Sequence, residues 1–199
     1  MAKKRLGGLK NIHFAKLVGG EFQPPTKISG AKKIECALDF EGVEFFSDDV
    51  IDFSDYIFAG GEGTLTVSGL TPGEHALLFG NTVSKGGVSV KSTDTSSEGA
   101  FLFERGKLGS NAKRLYVIYA CKCAPVDIGG ETKEGKLNEE TVEIKFSVRE
   151  LDTNDIYYFI DTDADDVDSA KVSAWYTTVQ KPTEQAVLTN QVEGRKGAK

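Results

Sequence analysis

The chain is poor in the residues that build reactive centres. Its 199 residues include two histidines, three cysteines, one methionine and one tryptophan. Neither His13 nor His75 has a partner at metal or triad spacing. Nucleophile elbows, phosphate-binding glycine loops and paired-cysteine zinc patterns are all absent from the sequence. Cys36, Cys121 and Cys123 are an odd number, which fits a reduced chain better than a disulfide framework. No apolar run reaches the roughly 18 residues of a membrane span, and Lys3, Lys4 and Arg5 are not followed by the apolar core of a signal peptide. An enzyme, a cofactor, a metal and a membrane are therefore not expected. Asp161, Asp163, Asp165 and Asp168 resemble the start of a calcium loop, but Asp166 and Val172 occupy the positions that need glycine and glutamate. That stretch reads as a solvated acidic turn.

What the chain has is alternation. Ile34, Cys36, Leu38 and Phe40 alternate with Lys33, Glu35, Ala37 and Asp39, the period of a strand with one buried face. Leu65 and Val67 alternate with Thr64, Thr66 and Ser68. Val142, Ile144, Phe146 and Val148 alternate with Glu143, Lys145, Ser147 and Arg149. Between Arg114 and Cys123, Leu115, Val117, Tyr119, Cys121 and Cys123 oppose Tyr116, Ile118 and Ala120, so both faces of that strand are expected to be covered. Shorter strands are expected over 88–91, 100–104, 156–160 and 172–178. One helix is predicted from Thr71 to Gly80: Thr71 as N-cap, Pro72 in the first turn, Glu74 closing a capping box and Gly80 at the C-cap.

Two features point to contacts between subunits. Residues 1–33 hold eight Lys or Arg against one acid, whereas residues 139–168 hold eleven Asp or Glu against two bases, a separation that lets the basic end of one copy rest on the acidic surface of another. Residues 43–63 are too long for a hairpin turn, and they carry Phe45, Phe46, Phe53, Ile57 and Phe58 among aspartates. A solvated loop does not carry that much apolar surface. Two readings stay open: the segment extends the flanking strands into the subunit's own core, or its outer part docks on a neighbour. The domain reading is a basic arm over 1–16, a β domain over 17–179 and a flexible tail over 180–199.

Several segments, taken in order, resemble the major tail proteins of long, non-contractile (siphovirus-type) tails of bacteriophages and prophages of Gram-positive bacteria. They are Gly8-Leu9-Lys10-Asn11-Ile12-His13-Phe14-Ala15, then Phe46-Ser47-Asp48-Asp49 with Gly61-Glu62-Gly63-Thr64-Leu65-Thr66-Val67, then Phe101-Leu102-Phe103-Glu104. The strand Arg114–Ala124, Glu131-Thr132-Lys133-Glu134 and Thr141-Val142-Glu143-Ile144-Lys145-Phe146 follow in the same order, so the likeness spans residues 8–178. The resemblance implies a mainly β tail-tube fold, a β-sandwich with one short flanking helix, a long inter-strand loop and extended terminal arms. It further implies six subunits per ring closing into a β-barrel lumen, and rings stacked into a tube that conducts DNA and tape-measure protein during ejection. Tail-tip and tail-terminator proteins would be partners, and DNA would pass without specific binding. The tube would be assembled in the host cytoplasm and belong to the virion tail. Lys3, Lys4, Arg5, Phe45, Phe46, Phe53, Ile57 and Phe58 are the expected ring-to-ring contacts; Glu35, Asp39 and Glu143 are the expected lumen-facing carboxylates. Two alternatives are a tube protein of a contractile tail or secretion apparatus, and a ligand-binding β-sandwich module.

Overall fold

The computed structural model describes residues 4–47, 50–130 and 140–183, and for residues 46, 47 and 50–52 the backbone alone. In chain order the elements are β1 (Leu6–Val18), β2 (Glu21–Phe22), β3 (Thr26–Lys27), β4 (Ala31–Ser47), β5 (Val50–Val67), α1 (Pro72–Phe79), β6 (Thr82–Ser84), β7 (Gly87–Ser89), β8 (Glu98–Lys107), β9 (Lys113–Cys123), β10 (Val142–Val148), β11 (Tyr157–Asp161) and α2 (Ser169–Ala174). The protein is mainly β. Nine strands make one antiparallel sheet in the order β2, β1, β8, β9, β10, β5, β4, with β3 added to β1 and β11 to β9; β6 and β7 form a separate ribbon.

The sheet curls until its ends approach each other. The amide of Ile28 donates to Ile12 O at 2.9 Å and that of Ser68 to Gly30 O at 2.9 Å, tying the start of β4 to the β1 side without closing a barrel. A bulge in β9 drives part of the curl. Cys121 pairs with Gly99 and Ile118 with Phe101, so Tyr119 and Ala120 together face Ala100, and Ala120 has a φ of 45°. An extra residue on one strand bends it and raises its twist. It also flips the side-chain alternation. Leu115, Val117 and Tyr119 point into one core and Cys121 and Cys123 into the other, where unbroken alternation would have put all five on one face. Coverage on both faces is as expected.

The first core lies inside the curl, where Ile12, Phe14, Phe101, Ile144 and Phe146 meet under Leu78 and Phe79 of α1. Gly63 leaves room for this packing, since a Cβ there would come within 2.2 Å of the Phe146 ring. α1 has the expected caps: Thr71 Oγ1 accepts from the Glu74 amide, the Glu74 carboxylate accepts from the Thr71 amide at 2.7 Å, and Gly80 has a φ of 71°. Glu74 also accepts from the Ser29 amide at 3.1 Å, which pins this short helix to the loop before β4.

The second core, on the opposite face of β1, β8 and β9, gathers Ala15, Leu102, Val117 and Tyr119 beneath Trp175 and Leu151. The segment over 172–178, expected as a strand, supplies this lid as helix α2 and the turn after it. Asp168 caps α2 by accepting from the amides of Ala170 and Lys171, and Val172, Trp175, Tyr176 and Val179 all pack on the second core at the spacing of a helix face. Among the described residues there are thus two short helices where one was expected.

From Leu6 onward the basic arm of residues 1–16 is strand β1, paired with β8 from Leu6↔Lys107 to Lys16↔Gly99. At the other end, Tyr119 Oη donates to Gln180 O at 2.5 Å, and Lys171 Nζ donates to Lys181 O and Thr183 Oγ1, each at 2.7 Å. The expected flexible tail therefore begins with a tethered stretch, and residues 184–199 lie outside the described residues.

Candidate assembly surfaces

The segment expected as a long loop is strand. β4 and β5 pair continuously from Ala31↔Val67 to Ser47↔Val50. β10 covers β5 only as far as Val148↔Gly61, so beyond Gly60 the two strands leave the sheet as a bare two-stranded ribbon. At about 3.3 Å per residue its eight-odd residue pairs reach roughly 25 Å from the sheet. The register shifts between Asp39↔Gly60 and Phe40↔Phe58, where Ala59 is the extra residue. Phe40, Tyr56 and Phe58 then occupy one face of the ribbon, and Val43, Phe45, Phe53 and Ile57 the other. Phe40 packs edge-on against Phe58 at 5.5 Å and Phe45 against Phe53 at 5.9 Å.

These rings do not enter the subunit's core. Phe45 is 60% exposed, Phe53 50%, Tyr56 72% and Ile57 59%, while Phe58 is half-buried. Of the two readings of this segment, extension of the strands holds but extension into the core does not. The side chain of Phe46 and the residues Asp48 and Asp49 lie outside the described residues, as does Lys3; Lys4 and Arg5 are exposed just before β1.

The three carboxylates expected in a lumen share one wet face. Glu143 pairs across with Thr66 and so lies in the row of Lys33, while Glu35 lies in the row of Thr64 and Lys145. Asp39 sits at the end of that face, opposite Gly60. The face is not a wall of carboxylates, however. Lys33, Lys122 and Lys145 stand exposed among Glu35, Asp39, Glu62 and Glu143, and Lys33 Nζ is 2.8 Å from Glu35 Oε1. The lysines were in the sequence; which carboxylates they would neighbour depends on cross-strand register.

The acidic turn is not simply solvated. Asp161 accepts two hydrogen bonds from Arg114, at 2.6 and 2.8 Å, and lies 3.1 Å from the ammonium of Lys107, which also bonds Asp163. The Lys107 side chain is only 1% exposed. Hydrogen bonds from Arg114, and then from Lys107, hold the Asp161 carboxyl below its usual value despite burial. Burial pulls the Lys107 ammonium down, but the bonds to Asp163 and Asp161 outweigh it and raise its pKa. Two of the carboxylates of the supposed calcium loop are thus engaged by cations. Nearby, buried Glu104 accepts from Lys113 at 2.9 Å and from Tyr176 Oη at 3.1 Å. His13 Nδ1 donates to Asn11 O at 2.9 Å and its ring packs against Tyr176 at 4.5 Å, so it belongs to the lid of the second core.

The three thiols are unequal. Cys121 and Cys123 are buried, and burial pushes Cys123 up to about 12 and Cys121 well above the usual value, whereas Cys36 is half-buried and raised less. A maleimide at neutral pH is expected to modify one cysteine in the folded subunit and three after denaturation, because the thiolate is the reactive form. Mass spectrometry counts the adducts, and two or more in the folded state would contradict this packing.

No family model matches the chain, and no curated protein matches it. Among solved structures it is similar to a chain of the anti-feeding prophage cap, the AFP tube terminating cap, solved by cryo-EM, with a TM-score of 0.46 and 11% identity over 80% of this chain and 94% of that one.

Proposed function

We propose that this chain is the major tube subunit of a phage-type tail, assembling as stacked hexameric rings into a hollow conduit for DNA. The observation that carries this reading is the bare β4–β5 ribbon. A two-stranded ribbon is marginal in water, and this one exposes aromatic rings on both faces. β4 also has its full 17-residue length paired on one side only among the described strands. A long free edge beside exposed rings invites association, and ordered self-assembly is the outcome that covers both. The sequence resemblance over residues 8–178 gives that assembly its form. The role is mechanical, with no catalytic step, and its partners are further copies, tape-measure protein and the proteins at either end of the tail, in the virion.

Passage of DNA fits the wet face of β4, β5 and β10 if that face lines the bore. Its acids and lysines alternate, so it offers phosphates no basic stripe to hold them. The test of the whole reading is direct. Purified protein, raised in concentration and seeded with a tail-tip complex, is expected to form hollow tubes of stacked rings in negative stain. A monomer at every concentration, seeded or not, overturns it.

A further inference from the structure

We propose that the β4–β5 ribbon of one copy docks into a basic-rimmed apolar cleft of a second copy, the cleft left open where the curled sheet fails to close. This rests on the reading of the chain as a self-assembling subunit and names the two surfaces that would meet.

The cleft, of about 650 Å³, lies between β4 on one side and β1, β8, β9 and β11 on the other. Its floor is apolar: Leu9, Ile34, Leu38, Phe103 and Ile118 line it, with Cys36 among them. Its rim carries Lys32, Lys33 and Arg105; Glu35, the one carboxylate there, is paired with Lys33, so the rim is net positive through Lys32 and Arg105. The ribbon is the complement in both respects. Residues 41–62 hold seven Asp or Glu and no Lys or Arg, and the described part of the ribbon presents Phe45, Phe53, Tyr56 and Ile57 to solvent. Apolar rings flanked by carboxylates meet an apolar floor flanked by cations, which supplies burial for affinity and charge for orientation.

The arrangement also explains why one chain carries both surfaces. The cleft is lined by the base of β4 and the ribbon is the outer half of the same strand, so a copy cannot fold its ribbon back into its own cleft without breaking β4. The contact must be between copies; a ribbon and a cleft that are engaged by different neighbours make it head-to-tail, and such a heterologous contact propagates into a ring or an open stack. An identical free edge pairing with itself would instead stop at a dimer.

Cys36 makes the proposal testable in the wild-type protein, because a docked ribbon covers it. Alkylation of Cys36 by a maleimide, followed by mass spectrometry, is expected to slow at least about tenfold on assembly, as for a thiol removed from solvent. Introducing Tyr56→Cys or Ile57→Cys, one on each face of the ribbon, and oxidising the assembled material is expected to give a ladder of covalent oligomers. The ladder should vanish when Cys36→Ser is added, while circular dichroism of the free subunits stays unchanged. Tubes that form with Cys36 as reactive as in the free subunit and with no ladder overturn the docking and leave the tube reading standing. Cross-linked oligomers without tubes support the docking and overturn the tube reading. Failure of both tubes and cross-links overturns both.

Discussion

Phe53→Asp and Ile57→Asp are expected to abolish assembly while leaving the subunit folded. Phe53 is 50% exposed and Ile57 59% in the free subunit, and neither packs against either core. Exposed substitutions of this kind change stability by no more than about 0.5 kcal/mol. Circular dichroism and the thermal midpoint should therefore match the wild type. In an assembled contact the same aspartate would be buried without a partner, at a cost of at least about 2 kcal/mol, in a ribbon that is already acidic. That loss recurs at every contact, and each 1.4 kcal/mol is about a tenfold change in affinity, so the concentration needed for sedimentable tubes should rise by a factor of thirty or more, on the order of that estimate. Phe58→Asp serves as the contrasting variant, because Phe58 is half-buried against Phe40 and its loss should destabilise the base of the ribbon as well. Unfolding of the Phe53 or Ile57 variant would place the ribbon in the subunit's own core.

How much of this was legible beforehand follows the range of the interactions. The strand around Ile144 and the caps of α1 are written in neighbouring residues, and they stand where the sequence puts them. The ribbon reads as a loop because Tyr56, Ile57 and Phe58 are apolar at consecutive positions, so apolar groups fall on both faces of the paired strands and no two-residue period shows. In β9 the alternation looked perfect, and the bulge at Ala120 was hidden by a sequence that is apolar on both sides. α2 did leave a signal: Asp168 as N-cap, then Val172, Trp175, Tyr176 and Val179 at helical spacing. β-branched Val172 and the aromatics that follow favour strands by propensity, and packing on the second core overrode that preference. The ion cluster was out of reach because Arg114 and Asp161 lie 47 residues apart and meet only through the pairing of β9 with β11.

That cluster gives the largest expected change in subunit stability. Asp161→Asn leaves the Lys107 ammonium, whose side chain is 1% exposed, with Asp163 and without its second carboxylate. Removing one partner of a buried ion pair costs about 3–5 kcal/mol; Asp161 is 18% exposed and Asp163 remains, which argues for the lower end, about 3 kcal/mol. For a domain of this size that corresponds to a fall in thermal midpoint of about 6–12 °C. Lys107→Met should cost less, because the carboxylates it leaves behind reach water or Arg114 and the methionine fills the apolar stem's place. The order of the two variants is thus a test of which charge is the more deeply committed. Acid provides a second, independent readout. The folded-state pKa of Asp161 is depressed, so its stabilising contribution is complete above the unfolded value of about 3.9 and is lost as pH falls through the lower folded value. Between pH 7 and 5 the gap between wild type and Asp161→Asn should stay constant; below about pH 4 it should narrow as the wild-type carboxylate takes up its proton. Urea unfolding followed by circular dichroism over that pH series measures the gap directly. A gap that persists undiminished to pH 2 would mean that the Asp161 side chain matters for packing alone, not for its charge.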